Sequence, residues 1–220
     1  MNKGNKKDLW ISIILLTAFI LWTSLLRLVD VQAIGPKGST VGFAAVNQYI
    51  HQLTGVHFSL YHLTDWLGLV PVAFAFGFAV LGVAQWVHRK HLSRVDYSLF
   101  ILGGFYIVVA VAYLLFESVV INYRPVLIDG FLEVSYPSST TLLVMCVMPT
   151  AIMQFSSRIQ KKRWNLLIRL ALSVFIFFMV VGRLISGVHW FTDIVGGALL
   201  STGLVMMYRF LVGIKEKFVA

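Results

Sequence analysis

The chain contains six apolar stretches that are each long enough to cross a lipid bilayer as a helix. An α-helix needs about 20 apolar residues to span a hydrocarbon core of about 30 Å. The stretches lie near residues 9–29, 67–87, 97–119, 140–155, 166–185 and 192–212. They are too continuous for barrel strands, whose side chains alternate between lipid and lumen over about ten residues. Because a spanning backbone must satisfy its own hydrogen bonds in lipid, we predict an all-α bundle of six transmembrane helices.

The composition favours the same solvent. Of 220 residues, 59% are hydrophobic and 12% are charged, whereas a soluble domain carries about 25% charged residues. We therefore expect one membrane-embedded domain over residues 1–220, in direct contact with the lipid bilayer. The single Cys146 lies inside an apolar stretch, so we expect a small core residue and no disulfide or cysteine metal site.

The distribution of positive charge predicts the orientation of the chain. The net charge of +9 could suggest nucleic acid, but no basic helix interleaved with exposed aromatic residues is present, so we expect no nucleic-acid partner. With the N-terminus in the cytoplasm, the inner segments hold Lys3, Lys6, Lys7, Arg89, Lys90, Arg94, Arg158, Lys161, Lys162, Arg163, Arg209, Lys215 and Lys217. The outer segments hold Arg27, Lys37, Arg124 and Arg183. This bias predicts an even number of spans with both termini cytoplasmic.

The first apolar stretch superficially resembles a signal peptide because it follows a cluster of lysines. At about 20 residues it exceeds a signal h-region of roughly 7–15 residues, and no small-x-small cleavage site follows it. We expect a retained first span. No outer-membrane or organelle address is visible, so the default localisation is a bacterial-type cytoplasmic membrane.

The longest extramembrane segment, residues 30–66, is predicted to lie outside. Within it, residues 41–60 mix apolar and polar side chains at roughly helical spacing, which indicates one or two helices lying in the membrane interface. Such a segment is either a packed connector or the rim of a lipid entry path, and the sequence favours neither.

Three polar segments are predicted to meet at the outer face. They are Ile121–Pro125 after the third span, Tyr136–Thr140 at the start of the fourth, and Gly182–Asp193 between the fifth and the sixth. Each alone has an ordinary explanation: a loop, a helix cap, or a structural hydrogen bond between a His and an Asp. Ionisable residues near membrane depth are costly, however, and their convergence on one face indicates a functional site.

The residue types suit phosphoryl transfer. Arg124 and Arg183 offer planar guanidinium groups that match phosphate oxygens and stay charged. Ser138, Ser139 and Thr140 open a helix whose first amides lack internal partners, and such an N-terminus favours an anion.

A histidine and an aspartate complete the predicted site. His189 and Asp193 are four residues apart, so on a helix they share a face. An Asp so placed can hold the Nδ1–H of the imidazole and leave Nε2 free as a base or nucleophile.

These elements together resemble the three motifs of the type 2 phosphatidic acid phosphatases, a family of membrane lipid phosphate phosphatases. The family pattern is Lys-x6-Arg-Pro, Pro-Ser-Gly-His and Ser-Arg-x5-His-x3-Asp. The chain has Arg124-Pro125, Pro137-Ser138 and Arg183-x5-His189-x3-Asp193, and the motifs span Glu117 to Asp193. The third motif is specific, whereas the first two alone are weak.

The resemblance implies a role for each matching residue. His189 is implied to be the nucleophile that forms a phosphohistidine, and Asp193 to orient it. Arg124 and Arg183, assisted by Ser138 and the Ser139 amide, are implied to bind the phosphate. The family needs no metal or other cofactor, and no carboxylate or histidine cluster of ligand type is visible in the sequence.

Three positions depart from the family pattern. Glu117 stands where the family has a phosphate-binding Lys, Thr140 where it has a second His that protonates the leaving group, and Gly182 where it has a Ser. We expect Glu117 to pair with Arg124 or Arg183, and a protonated Glu117 acting as substitute acid is the second interpretation. The change at Gly182 is expected to be the mildest.

The missing acid favours a particular substrate. A general acid typically contributes 10²–10⁴-fold, and it matters most when the leaving group is an alkoxide. A phosphate monoester leaving from a diphosphate has a pKa of about 6 and can depart unprotonated. Thr140 therefore favours a lipid diphosphate such as a polyprenyl diphosphate, while a non-catalytic lipid-phosphate binder and a lipid phosphotransferase remain alternatives.

The other histidines receive simpler interpretations. His57 and His62 lie in the outer segment and are either interfacial contacts or a replacement acid. His51 has no distinguishing context, and His88 and His91 flank an inner basic turn as anchoring residues.

Overall fold

The structure, a computed structural model, describes residues 3–215, and in that part of the chain it contains eight α-helices. They are α1 (Lys3–Leu25), α2 (Ala44–Thr54), α3 (Phe58–Leu67), α4 (Leu69–Arg89), α5 (Tyr97–Ser118), α6 (Ser139–Arg158), α7 (Lys162–Ile185) and α8 (Phe191–Lys215). Two 3₁₀ turns lie at Pro36–Gly38 and Leu92–Arg94. Lys217, which the sequence assigns to the inner side, lies outside the described residues, as do the side chains of Lys3 and Lys215.

Six helical segments are long and apolar enough to cross a membrane, which confirms the predicted all-α, multi-pass architecture. The predicted bounds are close but not identical. The first span begins and ends earlier than expected, at Lys3–Leu25, and the short fourth stretch extends at both ends to Ser139–Arg158. Polar residues at helix ends hide these extensions from a hydropathy pattern.

The segment after the first span forms two helices, and the second continues into the next span. Gly68, between α3 and α4, keeps helical angles (φ −59°, ψ −19°), so Phe58–Arg89 forms one stretch of 32 residues. At 1.5 Å per residue this exceeds a hydrocarbon core of about 30 Å, so α3 rises beyond the end of the span. Pro71 has no N–H to bond the carbonyl four residues earlier, which explains the break at Leu67–Gly68.

The centre of the bundle is formed by α6 and α8. In an 18-residue apolar stretch of each span, 56% of the residues of α6 and 44% of the residues of α8 are buried, compared with 11–22% in the other four spans. The helix α1 packs along α8, and α6 packs against both α7 and α8. Large apolar side chains such as Phe76, Ile107 and Phe177 point outward, where lipid is the fitting solvent.

Ion pairs tie the helix ends on the side opposite the three motifs. The Asp96 carboxylate contacts Arg89 at 2.9 Å and Arg158 at 3.3 Å, and Asp8 contacts Arg209 at 3.5 Å. The last pair joins the beginning of α1 to the end of α8, so both ends of the described chain lie on the same side of the bundle.

Candidate active site

The loop between α5 and α6 folds back on itself and brings two polar residues to one end. The Arg124 amide donates to the Glu133 carbonyl at 3.0 Å, and the Ser135 amide donates to the Asn122 carbonyl at 2.9 Å. The loop turns at Asp129–Gly130, where both residues have positive φ. This antiparallel pairing places Arg124 and Ser135 beside the start of α8.

The loop between α7 and α8 is held by residues far away in the sequence. Asn47, on α2, donates to Thr192 Oγ1 at 3.0 Å and accepts from the Thr192 amide at 3.2 Å. Trp190 Nε1 donates to the Tyr123 carbonyl at 2.7 Å. A buried Asn on a mostly apolar helix is the signal that could have identified Asn47, but its partner is not readable from the sequence.

His189 lies in this loop, two residues before α8 begins, rather than within a helix. Its side chain is 1% exposed, and Nδ1 is 3.8 Å from Asp193 Oδ2, which is beyond hydrogen-bond distance. Ser135 Oγ lies between them: it is 3.0 Å from His189 Nδ1 and donates a hydrogen bond to Asp193 Oδ2. The predicted direct His–Asp bond is therefore wrong in detail, because an unpredicted serine bridges the two groups.

Asp193 lies in the first turn of α8, and its carboxylate accepts hydrogen bonds from three donors. Besides Ser135, its carboxylate accepts from the Trp190 amide at 2.9 Å and from Asn122 Nδ2 at 3.3 Å. Its own carbonyl accepts from the Ser138 amide at 3.1 Å, which ties α8 to the start of α6. Gly196 and Gly197 permit this contact, because a Cβ on Gly196 would lie 2.5 Å from the Tyr136 ring.

The two arginines share one aromatic neighbour. The guanidinium carbons of Arg183 and Arg124 lie 4.9 Å and 5.6 Å from the centre of the Tyr61 ring. Arg183 also donates to the Tyr61 carbonyl at 3.3 Å and to Thr64 Oγ1 at 3.2 Å. The extension of α3 beyond the span thus supplies one wall of the site, which the sequence did not indicate.

Each arginine pairs with a carboxylate that differs from the expected one. Arg124 Nε lies 3.0 Å from Glu133 and Arg183 Nη2 lies 3.4 Å from Asp65. Among residues 3–215 Glu117 forms no ion pair, so its predicted pairing with Arg124 or Arg183 is wrong. Glu117 is at the end of α5, on the rim of a small cavity that His189 also lines.

Buried nitrogen atoms without hydrogen-bond partners are concentrated in Arg124, Arg183 and His189. Within the described chain, five buried side-chain polar atoms have no hydrogen-bond partner: Arg124 Nε, Arg124 Nη1, Arg183 Nε, His189 Nε2 and Ser39 Oγ. Arg124 Nε contacts Glu133 as an ion pair without hydrogen-bond geometry. Each unsatisfied buried group costs about 1–3 kcal/mol, and an anion is the type of ligand whose oxygens would satisfy these arginine donors.

The electrostatics keep His189 neutral. Burial, and then the positive charges of Arg124 and Arg183, hold the pKa of His189 well below its usual range. A neutral imidazole with an unpartnered Nε2 can attack an electrophile.

The serines and threonine of the second motif open α6. The Ser138 hydroxyl caps the helix by accepting from the Thr141 amide at 3.4 Å. Ser139 lines the small cavity beside His189. Thr140 follows in the first turn and is 9% exposed. The structure thus brings the second motif next to the third.

At Gly182, α7 and α3 lie closer together than the sequence suggests. A Cβ there would lie 3.0 Å from Thr64 Cγ2, so α3 packs tightly on α7 at this glycine. Replacing the family's Ser by Gly therefore makes room for α3 instead of being a neutral change.

His51, His57 and His62 lie on or next to α2 and α3, near the loop that carries His189, whereas His88 and His91 lie near the turn between α4 and α5. His51, which has no distinguishing context in the sequence, lies 3.1 Å from the Gly187 carbonyl and packs against Trp190. His57 bonds the Thr54 carbonyl at 2.8 Å, and His62 is exposed beside Tyr61. No group of three His, Cys, Asp or Glu residues suited to a metal ion occurs within residues 3–215.

Comparison with known proteins finds similarity to a family model and to a solved structure. The model of the PAP2 superfamily matches residues 118–214, which contain most of the site. The fold is similar to the crystal structure described as the first transmembrane PAP2 type phosphatidylglycerolphosphate phosphatase from Bacillus subtilis, with a TM-score of 0.55 and 17% identity. The similarity covers 94% of this chain and 97% of that chain. Comparison with curated protein sequences gives no significant match.

The shared fold is that of a multi-pass membrane protein. The similarity to the PAP2 superfamily lies in residues 118–214, where Arg124 and the second and third motifs also lie.

Proposed function

We propose that the chain is a single-domain lipid phosphatase that removes the terminal phosphate of a lipid diphosphate through a phosphohistidine on His189. Its site faces outward from the cytoplasmic membrane, with both termini in the cytoplasm. The observation that carries the proposal is the unpartnered His189 Nε2, buried together with unpartnered nitrogens of Arg124 and Arg183.

The arginines bind the terminal phosphate. Both guanidinium groups lie beside the Tyr61 ring, both retain unpartnered nitrogens, and both charges act on His189. Phosphate oxygens accept from Arg124 Nη1 and from Arg183 Nε, and Ser138 with the Ser139 amide adds the favourable end of α6. The donors also stabilise the charge on the equatorial oxygens as the phosphoryl group moves.

His189 transfers the phosphoryl group in two displacements. Its Nε2 lone pair attacks the terminal phosphorus, and the bond from phosphorus to the bridging oxygen breaks. The electron pair leaves with that oxygen on the lipid monophosphate. Water then attacks the phosphohistidine, losing a proton to solvent, and releases inorganic phosphate with regeneration of Nε2.

The substrate class follows from Thr140. A threonine hydroxyl is too weak an acid to protonate an alkoxide, whose conjugate acid resembles water with a pKa of about 15.7. A lipid monophosphate leaves without that proton because its pKa is about 6. The site thus supports diphosphate cleavage better than monoester cleavage.

The first experiment looks for the covalent intermediate. Purified protein is incubated with undecaprenyl diphosphate labelled in its terminal phosphate, and phosphohistidine is measured after rapid quenching. We expect an adduct that His189→Ala abolishes and that His91→Ala, at the inner face, leaves unchanged. Retained binding with neither adduct nor turnover would favour a non-catalytic lipid-phosphate protein, and loss of the adduct only with an added acceptor would favour a phosphotransferase.

The second experiment tests the substrate class by restoring the acid. In Thr140→His, hydrolysis of a lipid monoester is expected to rise by about 10²-fold, the low end of what a general acid supplies, with a much smaller gain for the diphosphate. Thr40→His, on the exposed outer loop, serves as the control. A wild-type protein that releases phosphate from the monoester faster than from the diphosphate would overturn this assignment.

A further inference from the structure

Within residues 3–215, Ser135 is the one residue whose side chain hydrogen-bonds to both the histidine and the aspartate of the third motif. Its Oγ lies 3.0 Å from His189 Nδ1 and donates to Asp193 Oδ2, while those two groups are 3.8 Å apart. All three side chains are buried, with relative exposures of 2%, 3% and 0% for Ser135, His189 and Asp193. No solvent therefore competes for these hydrogen bonds.

The direction of the hydrogen bonds follows from the number of protons. An ionised carboxylate is acceptor-only, and Asp193 takes hydrogen bonds from Trp190 N–H, Asn122 Nδ2 and the Ser135 hydroxyl. A serine has one hydroxyl proton. Once it is directed at Asp193, the Ser135 oxygen can only accept from His189.

The tautomer of His189 is then determined. Since Ser135 accepts, Nδ1 must carry the ring proton, and a neutral ring has no second proton for Nε2. That nitrogen is the buried atom without a partner beside the arginines. The hydroxyl thus leaves the lone pair on the side where the proposed reaction occurs.

We propose that Ser135 is a positioning residue that links Asp193 to His189 and fixes the Nδ1–H tautomer required for attack by Nε2. This role rests on the proposed function. After the P–O bond breaks and the N–P bond forms, the ring retains its Nδ1 proton and carries positive charge. Asp193 stabilises that charge through the Ser135 hydroxyl.

The backbone on both sides of Ser135 keeps its hydroxyl in place. Its amide donates to the Asn122 carbonyl at 2.9 Å. The next residue, Tyr136, is 1% exposed and bonds Thr23 through its hydroxyl at 2.7 Å. A side chain anchored this way can orient a ring with little loss of conformational entropy on reaction.

The test compares Ser135→Ala, which removes the hydroxyl, with Ser135→Thr, which retains it, and with Ser201→Ala as a matched buried-serine control on α8. Two quantities are measured on purified full-length protein: the single-turnover rate of phosphohistidine formation and the ¹⁵N chemical shifts of the His189 ring. Binding of inorganic phosphate and thermal melting report whether each variant retains its fold and anion site.

In Ser135→Ala we expect adduct formation to slow by about 10- to 1,000-fold, less than the roughly 10⁴-fold cost of the wrong tautomer in a serine-protease triad. Phosphate affinity is expected to change by less than about threefold, and the ¹⁵N shifts are expected to lose the pure Nδ1–H pattern. Ser135→Thr keeps that pattern if the hydroxyl is what matters, even where its extra methyl group lowers the melting temperature.

The outcomes separate this inference from the proposed function. Absence of any adduct in the wild type would defeat the phosphohistidine proposal, while the ring shifts still report on Ser135. A wild-type adduct together with an unchanged rate and unchanged shifts in Ser135→Ala would show that Ser135 only fills space.

Discussion

Arg124 and Arg183 place two positive charges around one tyrosine ring at a buried position. The ring face of Tyr61 attracts both cations, and Glu133 and Asp65 each offset one of them. These carboxylates lie toward solvent, with side-chain exposures of 41% and 58%. Arg124 Nη1 and Arg183 Nε have no partner and belong to neither ion pair, so a phosphate that binds these two nitrogens leaves both ion pairs in place.

A residue-scale prediction concerns the pH dependence of the reaction. Because burial and the two arginines lower the pKa of His189, the nucleophile stays neutral as the pH falls through the usual histidine value of about 6.5. Arg124→Gln removes one of these charges, so the ring is protonated at a higher pH and the acid limb of kcat/KM moves upward. The pH profiles are measured with one diphosphate substrate, so that substrate ionisation is common to both proteins.

Arg94→Gln, in the turn between α4 and α5 at the opposite end of the bundle, is the control for this experiment and is expected to leave the limb in place. The same lowered pKa affects folding. The unfolded chain takes up this proton near pH 6.5 and the folded chain does not. Below that pH, His189 therefore progressively lowers the free energy of unfolding, so the fold becomes less stable. An Arg124→Gln protein with a lower rate but an unmoved acid limb would contradict the electrostatic explanation.

A second residue-scale prediction concerns Glu117. Its carboxylate borders the cavity that His189 lines, where it repels an anionic substrate. At an effective dielectric constant between protein and water, two charges about 8 Å apart interact by roughly 1 kcal/mol. Glu117→Lys is therefore expected to lower KM for the diphosphate about fivefold or more, with Glu117→Gln intermediate, and kcat is expected to stay the same.

The control is Asp129→Lys, an equal change of charge at the exposed tip of the loop between α5 and α6. If Glu117 instead supplies a proton to the leaving group, kcat falls in Glu117→Lys and the repulsion argument is wrong. Steady-state kinetics with the purified variants distinguish the two results.

The sequence indicated part of this site and missed the rest for a physical reason. The spacing of Arg183, His189 and Asp193 is local, so it is visible in a single stretch of chain. Ser135 and Tyr61 reach the site through the return of a loop and the extension of a helix, and neither residue type is distinctive. The wrong expectation for Glu117 arose because Glu133 and Asp65 come from segments with no motif.

At the scale of elements, the connector between α2 and α3 presses on the loop that carries His189. The His57 amide donates to the Ser186 carbonyl at 2.9 Å, and His51 contacts the Gly187 carbonyl. A Cβ on Gly187 would lie 1.9 Å from the Gly55 carbonyl oxygen. The helices α2 and α3 and their connector thus position the loop that carries His189.

Gly187→Ala tests this packing. The residue has φ +67° and is crowded by backbone, whereas Gly130 has φ +82° with open space around it. A positive φ alone costs an alanine about 1–2 kcal/mol, so Gly130→Ala is the matched control. We expect Gly187→Ala to lower the free energy of unfolding by about 3 kcal/mol or more, to lower the melting temperature by several degrees and to abolish most activity. The reason is that the crowding atoms belong to the backbone, which cannot move aside as a flexible side chain can.

Equal destabilisation of the two variants, measured by thermal melting in detergent, would show that the contact with Gly55 is unimportant.

Hydropathy predicted each span, but it could not predict that α3 and α4 form one continuous stretch. That continuation depends on Gly68 keeping helical angles, and polar residues such as Thr64 and Asp65 conceal it because they face Arg183 rather than solvent alone.

At the scale of the whole molecule, burial and charge divide the bundle into two ends. The central helices α6 and α8 begin at the proposed phosphate site and end among the ion pairs of Asp96 and Asp8. Helix N-termini carry partial positive charge and so favour the anion end. The basic residues at the other end fit a cytoplasmic surface, which is the basis for the proposed outward-facing site.

Thiol labelling in intact cells tests that orientation. The native Cys146 is fully buried, so it contributes little background. Thr40→Cys lies in the exposed outer loop and Ser93→Cys in the exposed turn between α4 and α5. A membrane-impermeant maleimide is expected to label Thr40→Cys in whole cells and Ser93→Cys only after lysis. The reverse pattern would show that the site faces the cytoplasm. The positive-inside argument would then be wrong, and the substrate would be one that is accessible from the cytoplasm.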